Sequence, residues 1–523
     1  MTEAVSASRI LCAPIGRYAD WLAWLQGYKS FFAAAVLGLL ATLSLPPLYL
    51  WQILYFVFPS LMWLLAGAAR RRTAFALGWW FGFGLFGGSL YWIGNALLIS
   101  AGGYGWLLPF ASFGLPAVFA FYSALATLAA WHGHSHLQRG LLFAGAWVFA
   151  EWLRGQLFTG FPWNLVGYSW AQSEELIQVA AAIGIYGVSL ILVLSAILPS
   201  VLADRTSRRV VIALVVSAAL PVMTWIGGGI RLNLAPETST ATVDGVGLRI
   251  VQPSISQREK WPLNFRQRNM ARFLDMSQRD RPSWITHIVW PETAATFFVE
   301  EDVALRQAMA AVVPHGGLLL TGAPRRQSDP AKLWNSLIAV DGAGEVVASY
   351  DKTHLVPFGE YIPFRDILPM DKIVHGQIDY SPGVGIKTLR FLGLPPVSAL
   401  ICYEVIFPGR VMNRADPPAW LLNITNDAWY GETVGPHQHL AISLVRAVEE
   451  GRPLIRATNT GISAVIDAYG RTIHSLGLNV NGVIDSRLPA AIPGMTLFAR
   501  GGELGIFFLL FGVLFVASLV RKI

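Results

Sequence analysis

The chain has 523 residues, of which 54% are hydrophobic and only 14% charged, and its mean hydropathy is +0.49. Typical soluble domains are about 45–50% apolar and about 25% charged, so a soluble cytosolic enzyme is excluded. Disorder and fibrous repeats are excluded too, because the 50 Gly and 30 Pro follow no period.

The formal charge of +7 does not point to a nucleic-acid partner. Its basic clusters (Arg70-Arg71-Arg72, Arg205 with Arg208-Arg209, and Arg521-Lys522) sit at the ends of apolar stretches, without the interleaved aromatics that stack bases. That is the placement of membrane-orientation signals.

A spanning helix takes about 20 mostly apolar residues. This length predicts seven helices at about 31–48, 51–69, 74–98, 104–130, 140–158, 177–203 and 209–229, and an eighth at about 503–520. Pro46-Pro47 makes the first hairpin the least defined. With Met1 cytoplasmic, Arg70–Arg72, the loop 131–139, Arg205–Arg209 and Arg521-Lys522 fall inside. The loops at 49–51, 99–103 and 159–175, and everything from 231 to 500, then fall outside, which satisfies the positive-inside rule. Residues 1–30 lack the apolar core and cleavage site of a signal peptide. Arg9-Ile10-Leu11 before Cys12 is not the small-residue context of a lipoprotein cleavage site. The expected layout is a cytoplasmic segment 1–30, a seven-helix membrane domain 31–230, an extracytoplasmic domain 231–500, and a last helix with a basic tail, 501–523.

From about 245 to 490 the pattern changes. Short β-type runs (Gly247–Val251, Trp284–Trp290, Gly317–Leu320, Ser336–Val340, Val397–Ile401, Ala419–Ile424) alternate with helical stretches (Phe265–Met276, Val303–Val312, His437–Glu450). The runs are apolar on both faces, as in a sheet buried under helices. The aromatic, Pro-rich stretch His354–Pro369 reads as a lid. These features predict an α/β domain tethered by about eight α-helices.

Only two cysteines are present, and the topology puts Cys12 and Cys402 on opposite sides of the membrane. Cys402 ends an apolar strand, where α/β sites lie; it also reads as a buried packing residue. A thiol is only a few per cent ionised at neutral pH and needs a base, which Glu292 in Trp290-Pro291-Glu292 supplies once desolvation raises its pKa. It also needs a cation for the oxyanion, a role that suits Lys352 after the run Glu345–Tyr350.

Trp290-Pro291-Glu292, Asp351-Lys352, Phe358-Gly359-Glu360 and Ile401-Cys402-Tyr403-Glu404, with steps of 60 and 50 residues between Glu292, Lys352 and Cys402, resemble the carbon–nitrogen hydrolase (nitrilase) superfamily. Asn423–Trp429 and Arg456–Gly461 extend the likeness. With seven membrane segments before this domain and one after, the chain resembles the bacterial apolipoprotein N-acyltransferase family.

The resemblance implies an αββα sandwich with Glu292 as base, Lys352 at the oxyanion and Cys402 as nucleophile. It further implies transfer of a phospholipid acyl chain, usually from phosphatidylethanolamine, through a Cys402 thioester to the amine of a diacylglyceryl-cysteine apolipoprotein. The setting would be the bacterial inner membrane with the catalytic domain periplasmic. The scheme requires neither metal nor cofactor, and a monomer is expected. Glu360 resembles a glutamate supporting the lysine. Tyr403 and Glu404 follow the nucleophile, and the Tyr403 N–H can serve the oxyanion. Trp261 resembles a tryptophan near the substrate entrance, though Trp is also common at interfaces.

Glu151 and Arg154 lie three apart within a membrane segment; they read as an interfacial ion pair or as a headgroup contact, the former preferred. His132, His134 and His136 have no acidic or Cys partner in sequence, and His437 and His439 have no third ligand, so none is read as a metal site. Two alternatives remain. In a membrane-tethered nitrilase-type amidase, water resolves the intermediate. A transporter would need interrupted-helix repeats that are not apparent.

Overall fold

The computed structural model describes residues 14–99, 104–204, 208–237, 241–363 and 379–521. The chain forms two compact units: Met1–Gly94, Leu107–Leu232 and Gly501–Ile523 make the first, and Asn95–Trp106 with Asn233–Arg500 make the second. Cys12, Arg205, Lys522 and residues 364–369 of the expected lid lie outside the described residues.

The first unit contains α1 (Tyr28–Ala41), α2 (Leu54–Ala66), α3 (Arg71–Leu90), α4 (Leu115–Trp131), α5 (His136–Gln156), α6 (Ala180–Ile197), α7 (Arg208–Asn233) and a C-terminal helix, Leu504–Arg521. Among the described residues, four helical stretches are long and apolar enough to cross a membrane: Arg71–Ile99, Gly105–Trp131, Ala180–Ala203 and Val210–Asn233. Three shorter apolar helices, Tyr28–Ser44, Trp51–Ala66 and Leu504–Val520, and the 21-residue α5 occupy the other expected segments. Large apolar side chains stay exposed along α7 and the C-terminal helix, among them Val215, Met223, Phe508 and Phe511. Water would penalise such a surface, whereas lipid matches it.

Small residues let these helices approach closely. A Cβ at Gly38 of α1 would stand 1.9 Å from the Phe81 carbonyl oxygen on α3, and one at Gly78 of α3 would stand 2.0 Å from Thr127 Oγ1 on α4. Only glycine permits that spacing, the usual basis of helix association in lipid.

Two sequence expectations are corrected in this unit. Glu151 and Arg154 are buried but do not pair with each other. Glu151 Oε1 accepts from Trp147 Nε1 at 3.1 Å and the Val166 N–H at 2.8 Å, while Arg154 Nη1 donates to the carbonyls of Phe161 and Trp163, each at 2.7 Å. The loop folding back over α5 offers fixed backbone partners to each charge, and these displace the i,i+3 pairing. His136, read as lacking an acidic partner, has one 68 residues away: its Nδ1 lies 2.6 Å from Asp204 Oδ1.

The second unit is built on twelve strands: β1 (Thr242–Gln252), β2 (His287–Val289), β3 (Leu318–Gln327), β4 (Lys332–Asp341), β5 (Val346–Asp351), β6 (Thr388–Phe391), β7 (Leu394–Ile401), β8 (Trp420–Thr425), β9 (Leu454–Thr458), β10 (Ser463–Ile466), β11 (Thr472–Leu476) and β12 (Gly482–Pro489). They form two six-stranded sheets, ordered β12-β1-β2-β3-β4-β5 and β11-β10-β9-β8-β7-β6. The central strands β1, β2 and β3 run parallel, as do β7, β8 and β9. The inner faces share one core, in which Leu248, Ile250, Val289 and Leu320 of the first sheet meet Val397, Ala399, Leu422 and Ile455 of the second.

Helices cover the outer faces. Met270 and Phe273 of α8 (Leu263–Gln278) and Leu305 and Met309 of α9 (Val303–Ala310) pack on Ile288, Leu319 and Ile338. On the other sheet, α10 (Gly435–Glu450) buries Ala441, Ile442, Val445 and Val448. Strands buried on both faces must be largely apolar on both, which is why their sequence reads as mostly apolar runs. The result is the αββα sandwich expected.

Candidate active site

Three of the predicted residues leave the ends of three different strands. Glu292 follows β2, Lys352 follows β5, and Cys402 follows β7. The structure brings them together in a buried cluster with relative exposures of 7%, 1% and 6%. Lys352 Nζ lies 3.7 Å from Glu292 Oε1 and 2.9 Å from Glu360 Oε2. Asn335 Nδ2 bridges the two acids, donating to Glu292 Oε1 at 2.7 Å and Glu360 Oε1 at 2.9 Å. The Asn426 N–H donates to Glu292 Oε2 at 2.8 Å. A Cβ at Gly322 would stand 2.6 Å from the Glu292 Cα, so glycine on β3 lets the base settle against the sheet.

Cys402 has φ +52°, a left-handed backbone that costs a non-glycine residue about 1–3 kcal/mol and is typical of functional sites. Glu404 holds this turn in place. Its Oε2 accepts from the Ile401 N–H at 2.7 Å, while its Oε1 accepts from the Tyr350 hydroxyl at 2.9 Å and the Thr353 and His354 N–H groups at 2.7 and 3.1 Å. One carboxylate therefore ties the strand end before the thiol to the loop after the lysine. Burial raises Glu404 to about 6, against the lowering by those N–H donors.

The electrostatics are those of a resting thiol beside a charged lysine. Burial, reinforced by the charge of Glu292, pushes the Cys402 thiol up to about 12, with Lys352 opposing. For Lys352 burial alone would lower the pKa, but Glu360 and Glu292 outweigh it and hold the ammonium above its ordinary value. Only a base in contact can deprotonate such a thiol at neutral pH, while the lysine stays cationic throughout.

Other predicted residues take different places. Tyr403 is buried, its ring edge-on to Phe407 at 5.2 Å between centroids. Trp261 is half-buried in the turn before α8; its neighbour Lys260 reaches the site, donating from Nζ to the Glu292 carbonyl at 3.0 Å. Burial lowers Lys260 to about 8, with Glu292 and Cys402 pulling the other way. Neither Lys260 nor Asn335 was expected at the site from sequence, because neither carries a recognisable motif.

It also passed over a polar layer beside the nucleophile. Parallel pairing sets Ile401 opposite Ile424, so Thr425 stands beside Cys402, and the two side chains hydrogen-bond. Thr425 Oγ1 donates to Asp427 Oδ1 at 3.1 Å. Asp427 is gripped by Arg456 Nη2 at 2.7 Å and His439 Nδ1 at 2.9 Å. Burial would raise Asp427, but Arg456 and His439 hold it at about 2, so the ionised carboxylate makes Nδ1 the donor. A Cβ at Gly461 would stand 2.4 Å from Asp427 Oδ2. His439, not read as a metal ligand, instead holds Asp427. Its neighbours Asn423–Trp429 and Arg456–Gly461 were noticed only as motifs.

Residues 37–198 match the family model of the apolipoprotein N-acyltransferase N-terminal domain, and residues 248–491 match that of the carbon-nitrogen hydrolases. An apolipoprotein N-acyltransferase of Rhodopseudomonas palustris is 41% identical over 510 residues, covering 92% of this chain and 93% of that protein. One of Bradyrhizobium diazoefficiens is 40% identical over 504 residues, with coverages of 92% and 93%. Among solved structures, an amidase from Nesterenkonia sp. is similar at 23% identity and a TM-score of 0.35, covering 48% of this chain and 94% of that one. By near full-length identity, the chain belongs to the apolipoprotein N-acyltransferase family.

Proposed function

We propose that the buried Glu292–Lys352–Cys402 cluster N-acylates the amino-terminal diacylglyceryl-cysteine of apolipoproteins, with a phospholipid, phosphatidylethanolamine foremost, as acyl donor. The observation that carries this reading is the placement of a neutral thiol beside a charged lysine and two carboxylates, all of them buried. As Cys402 Sγ attacks the ester carbonyl, its proton passes to Glu292 and the Lys352 ammonium stabilises the oxyanion. The ester C–O bond then breaks, the proton leaves with the lysophospholipid, and a thioester remains. In the second half the substrate amine attacks the thioester, a C–N bond forms, and the C–S bond breaks. Glu360 keeps Lys352 aimed, and Glu404 fixes the turn at Cys402. None of these steps calls on a metal or cofactor.

Eight membrane crossings in a bacterial inner membrane, a periplasmic catalytic domain, the layout 1–30, 31–230, 231–500 and 501–523, and a monomeric state belong to the same proposal. The basic clusters at the helix ends support it. The test is incubation of the purified protein with phosphatidylethanolamine and a diacylglyceryl-cysteine peptide. Lysophospholipid and N-acylated peptide in equal amounts are expected. Free fatty acid with unmodified peptide would instead mean that water resolves the intermediate, the amidase-type outcome.

A further inference from the structure

The Lys352 ammonium provides for the oxyanion, yet each half-reaction also places negative charge on sulfur, and the pocket raises the cost of that charge. Two hydroxyls meet Cys402. Thr425, fully buried at the end of β8, is set beside it by strand register and hydrogen-bonded to it. Tyr430, in the turn Asp427–Tyr430 that follows, hydrogen-bonds the Cys402 side chain with its hydroxyl. Its ring stands edge-on to His439 at 5.8 Å between centroids.

We propose that Thr425 and Tyr430 are catalytic donors to the Cys402 sulfur, stabilising the thiolate that attacks the ester and leaves the thioester, with Asp427, His439 and Arg456 as the positioning residues that aim them.

The Thr425 hydroxyl has one proton and two acceptors in reach. Beside a neutral thiol it accepts the S–H and donates to Asp427 Oδ1. Beside a thiolate it turns and donates to sulfur. Asp427 tolerates the turn, because Oδ1 keeps the His439 donor and Oδ2 keeps Arg456. Arg456 is itself fixed by Asn423 and by Ser443 Oγ at 3.2 Å. Asn423 Nδ2 reaches the carbonyls of Leu400 and Cys402 at 3.2 and 3.5 Å. His439 meets the Cys402 main chain, so the layer holds both the nucleophile's backbone and its hydroxyl donors. When the amine displaces the thioester, the C–N bond forms and the C–S electron pair moves to sulfur. The ammonium proton passes to Glu292, and from there back to the thiolate. The charged groups facing Cys402 during this exchange are Glu292, Lys352, Lys260 and Asp427.

The inference rests on the thioester reading, but its test needs neither lipid nor peptide. Full-length wild type, Thr425→Val, Tyr430→Phe and Thr425→Ser are treated with iodoacetamide at pH 8, and labelling of the Cys402 peptide is followed by mass spectrometry. Charge-assisted hydrogen bonds are the strong ones, so each hydroxyl deletion is expected to slow labelling about tenfold, with Thr425→Ser near wild type. A looser fold would expose the thiol and speed labelling, the opposite sign. Unchanged or faster labelling in either deletion overturns the proposal. Slowed labelling together with failed acyl transfer from phosphatidylethanolamine in the wild type would leave this donor pair standing and remove only the donor assignment.

Discussion

In the helical unit, Glu151 and Arg154 sit one turn apart on α5, yet each is held by neutral groups: an indole and a backbone N–H for the acid, two carbonyls for the base. In the sheet unit, Lys352 lies between Glu292 and Glu360, and its partners are themselves proton acceptors. Both sets of charges are buried, and only their partners differ. Backbone and indole partners do not exchange protons with either charge, so the first arrangement braces a loop. Titratable partners can pass a proton, so the second is built for acid–base work.

Substitutions break this contrast in a definite order. Cys402→Ala removes the nucleophile and is expected to abolish both half-reactions, a loss on the order of 10⁴-fold or more; retained acyl transfer would sink the mechanism. Glu292→Gln and Lys352→Ala are each expected to cost about 10²–10⁴ in rate with the fold intact, read as kcat in the peptide assay. For Lys352→Ala a stability loss of about 3–5 kcal/mol accompanies this, because two buried carboxylates lose their cation.

Acid tests the layer beside the thiol. Asp427 has a folded pKa of about 2 against an ordinary 3.8, so its contribution is fully present above about pH 4 and fades as pH falls through 2. Its size is about 2 kcal/mol. Asp427→Asn should therefore unfold more easily in urea at pH 6, with the gap from wild type closing toward pH 2; a gap constant with pH would contradict the ionised state. The smallest effect belongs to the helical unit. Glu151→Gln keeps an oxygen to accept both hydrogen bonds, so stability should change by less than about 1 kcal/mol and activity by less than about twofold. A large loss of activity at unchanged stability would return Glu151 to a headgroup-binding role.

The sequence made the central strands legible, because β1, β7 and β8 are buried along most of their length and read as mostly apolar runs of five or more residues. It hid β11, whose pattern is mostly exposed, and β9, where Arg456 interrupts the run. Glu292, Lys352 and Cys402 were readable because each closes a recognisable motif at a strand end. Asn335, Thr425 and Asp427 were not, because their roles depend on which strand lies beside which. Register between β7 and β8, and a pairing of Asp427 with Arg456 29 residues away, cannot be read from local pattern. The Glu151–Arg154 expectation failed for the same reason: helical spacing shows who can meet, but not the carbonyls that a later loop brings.

The most direct measurement is the intact mass of the purified chain after incubation with phosphatidylethanolamine alone, with and without hydroxylamine. A mass increase of one acyl chain is expected, which hydroxylamine removes and Cys402→Ser lacks, with lysophospholipid released in equal amount. No adduct and no lysophospholipid would contradict a thioester on Cys402 fed by this donor.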